Sequence, residues 1–240
     1  VNVNTDGEEV ARIMQKYDLE AIPVVDEFHR LVGRITIDDI LDFIREEAEK
    51  DYQMAAGISQ SVEADDSVWK LTRARLPWLM IGMFGGLAAA FIIDGFHEAM
   101  NLFPVLLVFV PLIQATAGNV GVQSSAIVVQ GLANDSLKGK IIDRLIKESF
   151  LGVINGVLLG AVVFVVSSLF FDTSLTISMS IGIALVSVII LSALVGTFIP
   201  LFLDKNGIDP AVATGPFITT SNDVFGILLY FYIAKLILGF

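Results

Sequence analysis

The residues with the most chemical consequence lie toward the C-terminal end. Residues 215–240 read as one apolar helix, yet Thr219, Thr220, Ser221, Asn222 and Asp223 follow one another before the apolar pattern resumes. An aspartate at the centre of a membrane helix costs about 2.5–3.5 kcal/mol on insertion scales, so such a residue faces a bundle interior or a watery path. Asp223 is therefore the first candidate for an ion site. The competing structural reading is a carboxylate neutralised by protonation or satisfied within the bundle. A second polar interruption, residues 114–125, holds Gln114, Thr116, Gly118, Asn119, Gly121, Gln123, Ser124 and Ser125, preceded by Pro104 and Pro111. Read as a glycine-rich break, it leaves backbone carbonyls without helical partners, which membranes tolerate only inside protein or along a wet cavity. Transport proteins present carbonyls to cations in this way. Close packing by small residues is the alternative. Asn119 and Gln123 stand one turn apart on one face, and pore lining is expected of them. A third group is acidic: Glu46, Glu47, Glu49 and Asp51, then Glu63, Asp65 and Asp66. It serves either as a solvated helix face or as a cation sensor.

The elements that must position these groups follow from a sharp internal split. Residues 1–75 hold 9 of the 15 Lys and Arg and 17 of the 26 Asp and Glu, and the remainder is strongly apolar. A soluble acidic unit thus precedes a membrane unit. Its charge argues against nucleic acid or anionic lipid as a main partner and is compatible with cations. The chain has no cysteine, which excludes disulfides, thiolate metal sites and a cysteine nucleophile. It starts at Val1 with neither Met nor a signal-peptide pattern, so it reads as part of something longer. Five apolar segments, residues 77–96, 103–132, 150–171, 177–203 and 211–238, are each near the roughly 20 residues that cross a bilayer. The second is expected to be interrupted. Arg73 and Arg75 precede the first segment, Lys138, Lys140, Arg144 and Lys147 lie between the second and third, and Lys205 follows the fourth. No basic residue lies near Asp94, His97 and Glu98 or around Asp172. The positive-inside rule then puts the N-terminal unit in the cytoplasm and Phe240 outside a cell (inner) membrane crossed several times. The expected organisation is a regulatory unit over 1–50, an acidic connector and interfacial helix over 51–76, and a five-span domain over 77–240.

In the N-terminal unit the periodicity predicts a helix over 8–17, short strands over 21–25 and 31–35, and a second helix capped by Thr36 with Asp39 at its third position. The run Tyr17-Asp18-Leu19-Glu20-Ala21-Ile22-Pro23-Val24-Val25-Asp26, followed by Leu31-Val32-Gly33-Arg34-Ile35-Thr36-Ile37-Asp38-Asp39, resembles the second half of a CBS repeat. In that family the segment matched by Gly33, Thr36 and Asp39 can bind the ribose and phosphate of an adenosine nucleotide such as ATP. Turn and cap roles are the structural alternative. CBS motifs work as tandem pairs, and one is read here.

The run Pro111-Leu112-Ile113-Gln114-Ala115-Thr116-Ala117-Gly118-Asn119-Val120-Gly121-Val122-Gln123-Ser124, together with Asp209-Pro210-Ala211-Val212-Ala213-Thr214-Gly215-Pro216-Phe217-Ile218-Thr219-Thr220-Ser221-Asn222-Asp223-Val224, resembles the membrane domain of MgtE magnesium transporters. The order of CBS repeat, connecting helix and five spans is also that family's. The resemblance implies an α-helical membrane protein that works as a homodimer, with one pore lined by the second and fifth spans. It implies that Asp223 holds hydrated Mg²⁺, with Gly118, Asn119, Gln123, Thr219 and Thr220 lining the path. It further implies regulatory Mg²⁺ shared by Asp209, Glu47 and Asp51, so that cytoplasmic Mg²⁺ gates the pore. Asp209 before Pro210 is by itself a well-motivated helix cap. Two other functions remain open, a cation exchanger coupled to Na⁺ or H⁺ and a membrane-anchored CBS sensor. Nothing resembles a nucleophile–base pair or a phosphate-binding loop, so no enzyme chemistry is expected.

Overall fold

The structure, a computed structural model, describes the whole chain except residues 135, 136, 138, 139, 172 and 214 and the side chain of residue 213. Lys138, Asp172 and Thr214, used in the sequence argument, lie outside the described residues. The chain divides into two units, Val1–Gln53 and Met54–Phe240.

In the first unit, Asp6 accepts the amide of Glu8 at 2.9 Å and starts α1 (Gly7–Tyr17). Strands β1 (Ala21–Val25) and β2 (Leu31–Thr36) pair antiparallel, from Ala21 opposite Thr36 to Val25 opposite Leu31. Asp26 closes the connection between them: Oδ1 accepts the amides of Phe28 and Arg30, and Oδ2 accepts Arg30 Nε at 3.0 Å. Helix α2 (Ile37–Ala55) follows directly. Asp39 Oδ2 accepts from the Thr36 amide at 2.8 Å and from its hydroxyl at 2.6 Å, so the third-position carboxylate read from the sequence reaches back to Thr36 at the head of α2. These two bonds hold the Asp39 carboxyl below its ordinary range, because they favour the ionised form. Val10, Met14, Ile22 and Ile40 form the small core. α2 runs unbroken through residue 50, so the run from Glu46 to Asp51 is part of one helix.

The second unit holds, among the described residues, five helices long and apolar enough to cross a membrane. They are α3 (Val68–Gly95), α5 (Val105–Ala133), α6 (Ile141–Phe170), α7 (Leu175–Lys205) and α8 (Pro216–Leu238), with the short α4 (His97–Leu102) between the first two. α7 is the central one: it packs on α5, α6 and α8, while α3 packs on α8. Tyr230, Phe231, Ile227, Ile189, Leu185, Ile113 and Leu106 fill the core where α5, α7 and α8 meet. The Tyr230 hydroxyl donates to the Leu106 carbonyl at 2.9 Å.

Two expectations need correction. The second span is not interrupted: α5 is one helix with Pro111 inside it. Its glycines serve close contact instead. A Cβ on Gly118 would stand 3.1 Å from the Thr219 methyl, one on Gly121 would overlap the Asn222 amide, and one on Gly196 of α7 would overlap the Gly121 carbonyl. Continuous helical bonding satisfies the backbone at membrane depth, and small residues let the backbones approach. The fifth span begins at Pro216, not 211. Pro210–Ala213 is a separate 3₁₀ turn, and Gly215 at φ +54° joins the two. The residue before a proline is steered from the helical region. Here it also takes a left-handed φ that suits glycine, with the Ala55 carbonyl where a Cβ would lie. The residues read as the end of the interfacial helix and those of the first span form one helix: Ser67 caps α3, which carries Pro77 in its interior.

Candidate cation site and its supporting helices

α8 turns two faces to its surroundings. Ile218, Asn222 and Gly226 recur every four residues and are buried. Asp223 follows Asn222 and is rotated about 100° from it. It is partly exposed and makes no hydrogen bond or ion pair with any described residue. Thr219 lies one turn before Asp223 on the same face and against Gly118 of α5. Its hydroxyl donates to the Gly215 carbonyl at 3.0 Å. Thr220 points elsewhere: its methyl fills the space over Gly85 of α3.

On α5, Gly118 and Gly121 are buried in the contact with α8 and α7, whereas Asn119 and Gln123 are exposed. They share that outward face with Leu112 and Ile127. An amide side chain facing hydrocarbon would be left without hydrogen-bond partners, so this face of a membrane span calls for water or another polypeptide. The candidate residues are thus a carboxylate on α8 and two exposed amides on α5, two helices that meet through glycine contacts. Among the described residues no three carboxylate or imidazole groups cluster to hold a metal.

The remaining sequence candidates belong to other elements. Asp209 Oδ1 accepts the Ala211 amide at 2.9 Å and caps the 3₁₀ turn, as its place before Pro210 suggests. On α2, Glu47 pairs with Lys50 at 3.0 Å and Asp51 stands one turn after Glu47. Thr36 and Asp39 are engaged with each other.

Two groups were missed by sequence reasoning. Asn222 is 1% exposed and neither of its amide atoms has a hydrogen-bond partner among the described residues. It belongs to the polar run around Asp223, but a run of polar residues does not tell which one turns inward. Glu148, 3% exposed on α6, lies 3.0 Å from Arg144 and accepts from Ser124 of α5. The opposite charges four residues apart at the head of a span were the available signal.

Comparison with known proteins now bears on this arrangement. The family model described as "MgtE: Divalent cation transporter" matches residues 110–233, which include both polar runs and Asp223, and a CBS domain model matches residues 1–46. The chain belongs to the MgtE family. Among curated MgtE proteins, the "Magnesium transporter MgtE" of Enterococcus faecalis is 38% identical over 241 residues, covering 100% of this chain and 53% of that protein. The Bacillus subtilis protein of the same name is 37% identical over 95% of this chain and 51% of its own length. The one from Thermus thermophilus is 34% identical over 99% of this chain and 53% of its own. The chain therefore spans about half the length of the curated relatives it matches. As an MgtE-family chain with five apolar helices, it is a multi-pass membrane protein with a CBS domain.

Proposed function

We propose that this chain carries Mg²⁺ across the membrane as a homodimer, with hydrated ion held between the Asp223 carboxylates of two copies. One observation carries the reading: a partly exposed aspartate, without a hydrogen-bond or ion-pair partner among the described residues, lies on α8, and α8 packs on α5, the span that exposes Asn119 and Gln123. A single chain supplies one negative charge, and a two-fold axis along that face supplies the second. Like charges about 4 Å apart repel by about 4 kcal/mol at an effective dielectric near 20, and a divalent ion between them reverses the sign. Asn119, Gln123 and Thr219 then accept hydrogen bonds from the water shell of the ion. Gly118 admits the close approach that brings Thr219 beside them, and Thr220 anchors the same helix to α3.

The same reading assigns residues 1–50 a regulatory role, residues 51–76 the connection, and 77–240 the path itself. The N-terminus is cytoplasmic, and Glu47, Asp51 and Asp209 sense cytoplasmic Mg²⁺. The relatives named as magnesium transporters and the isolated carboxylate, which suits an ion that keeps its waters, support Mg²⁺ as the cargo. The test is Mg²⁺ uptake into liposomes carrying the purified protein. Asp223→Ala should abolish uptake while leaving folding intact, because the carboxylate has no partner to lose among the described residues. Uptake near the level of the unchanged protein would sink the assignment. Flux that requires an opposing Na⁺ or H⁺ gradient would replace the channel by an exchanger.

A further inference from the structure

Helix α6 leans on α7 along Gly152, Gly156 and Gly160, which succeed one another every turn. A Cβ on Gly152 or Gly156 would stand 3.1 Å from the Cα atoms of Ile190 or Val186. One polar contact departs from this apolar seam. Glu148, one turn before Gly152, is 3% exposed, and its Oε2 accepts from Ser124 Oγ of α5 at 3.2 Å. Arg144, one turn earlier again, brings Nη2 within 3.0 Å of Oε1. A carboxylate so deeply buried is retained at a cost unless a charge and a hydrogen bond compensate it. Neither Arg144 nor Glu148 belongs to the cation path argued above.

What the pair holds is the residue next to that path. Ser124 is buried and directly follows Gln123, which is exposed, with Asn119 one turn before. The glycine contacts of α5 allow its backbone to come close to α7 and α8, but a smooth surface lacks direction. A hydrogen bond has direction, and at Ser124 it fixes how far α5 is turned about its own axis. Because successive helical residues are about 100° apart, fixing Ser124 inward fixes Gln123 and Asn119 outward.

We propose that Glu148, held by Arg144, is a positioning residue: through Ser124 it sets the rotation of α5 and so aims Asn119 and Gln123 at the ion path. The assignment of that path rests on the function proposed above, whereas the link itself rests on the three side chains. The absence of cysteine makes a direct readout simple. Gln123→Cys and Asn119→Cys, made separately in the full chain and reconstituted in liposomes, report their exposure as the rate of reaction with a charged thiol reagent. Ser124→Ala and Glu148→Ala should each shift both rates several-fold, Ser124→Thr should restore them, and the double change should add little to either single one. In the cysteine-free protein the same changes should alter the KM for Mg²⁺ and the competition by Ca²⁺ at unchanged folded fraction. A purely structural role would lower flux only in proportion to folded protein. Ser124→Ala keeps the Arg144–Glu148 pair and serves should Glu148→Ala fail to fold. Thiol rates that are equal in all backgrounds overturn the link, whatever the flux does. Shifted rates in a protein that carries no Mg²⁺ leave the link standing and refute the transport reading instead.

Discussion

Two helix contacts in the membrane unit use the same residue for different ends. Between α6 and α7, Gly152, Gly156 and Gly160 meet Ile190, Val186 and the Gly182 carbonyl, so the contact is apolar and backbone-to-backbone. Between α5 and α8, Gly118 and Gly121 meet the polar side chains of Thr219 and Asn222, immediately beside Asp223. The first contact holds a helix in the bundle. The second places polar side chains of α8, in the run that includes Asp223, against α5. Small residues in a membrane span are therefore not a functional signal in themselves; what they face decides their use.

The widest gap between the two contacts is expected from adding one methyl to each. Gly121→Ala forces the buried Asn222 aside, and with it the neighbouring Asp223, so flux per folded molecule should fall nearly to background. Gly156→Ala meets Val186 at 3.1 Å and should lower stability by about 1–3 kcal/mol, the range for overpacking, while flux per folded molecule stays near that of the unchanged protein. Liposome uptake normalised to the folded fraction separates them, and equal losses in both would erase the distinction. A smaller effect is expected on the outward face of α5. Asn119→Leu and Gln123→Leu should each weaken Mg²⁺ uptake several-fold or relax its selectivity over Ca²⁺, whereas Leu158→Ala on the exposed face of α6 should leave both unchanged. The smallest effect on conduction is expected at the carboxylates assigned to regulation. Asp209→Asn combined with Glu47→Gln and Asp51→Asn should leave flux at low Mg²⁺ intact and shift inhibition by cytoplasmic Mg²⁺ to higher concentration. Patch recording with Mg²⁺ titrated on that face reads it, and an unchanged inhibition curve would remove the sensing role.

Much of this was legible in the chain itself. Length and hydropathy located five spans, residue pattern located the two short strands, and the pairing of Thr36 with Asp39 located the start of α2. The expense of an aspartate in an apolar segment singled out Asp223. Other features were hidden because they depend on partners distant in sequence. Gly118 and Gly121 read equally well as a break or as a contact, and only the presence of Thr219, Asn222 and Gly196 opposite them decides for contact. The inward turn of Asn222, beside a residue facing the other way, follows from helical phase relative to α5 and α7, which a polar run does not encode. Likewise Glu148 went unread, because its hydrogen-bond partner Ser124 lies on another helix.

The central claim is that two copies build one site, and mixing tests it most directly. The unchanged chain and Asp223→Ala are combined in known proportion, co-folded into dimers and reconstituted, and Mg²⁺ uptake is measured against the fraction of unchanged chain. If each ion needs both carboxylates, mixed dimers are silent and uptake follows the square of that fraction. Uptake that falls in direct proportion to the fraction would show each chain conducting alone and would contradict the shared site.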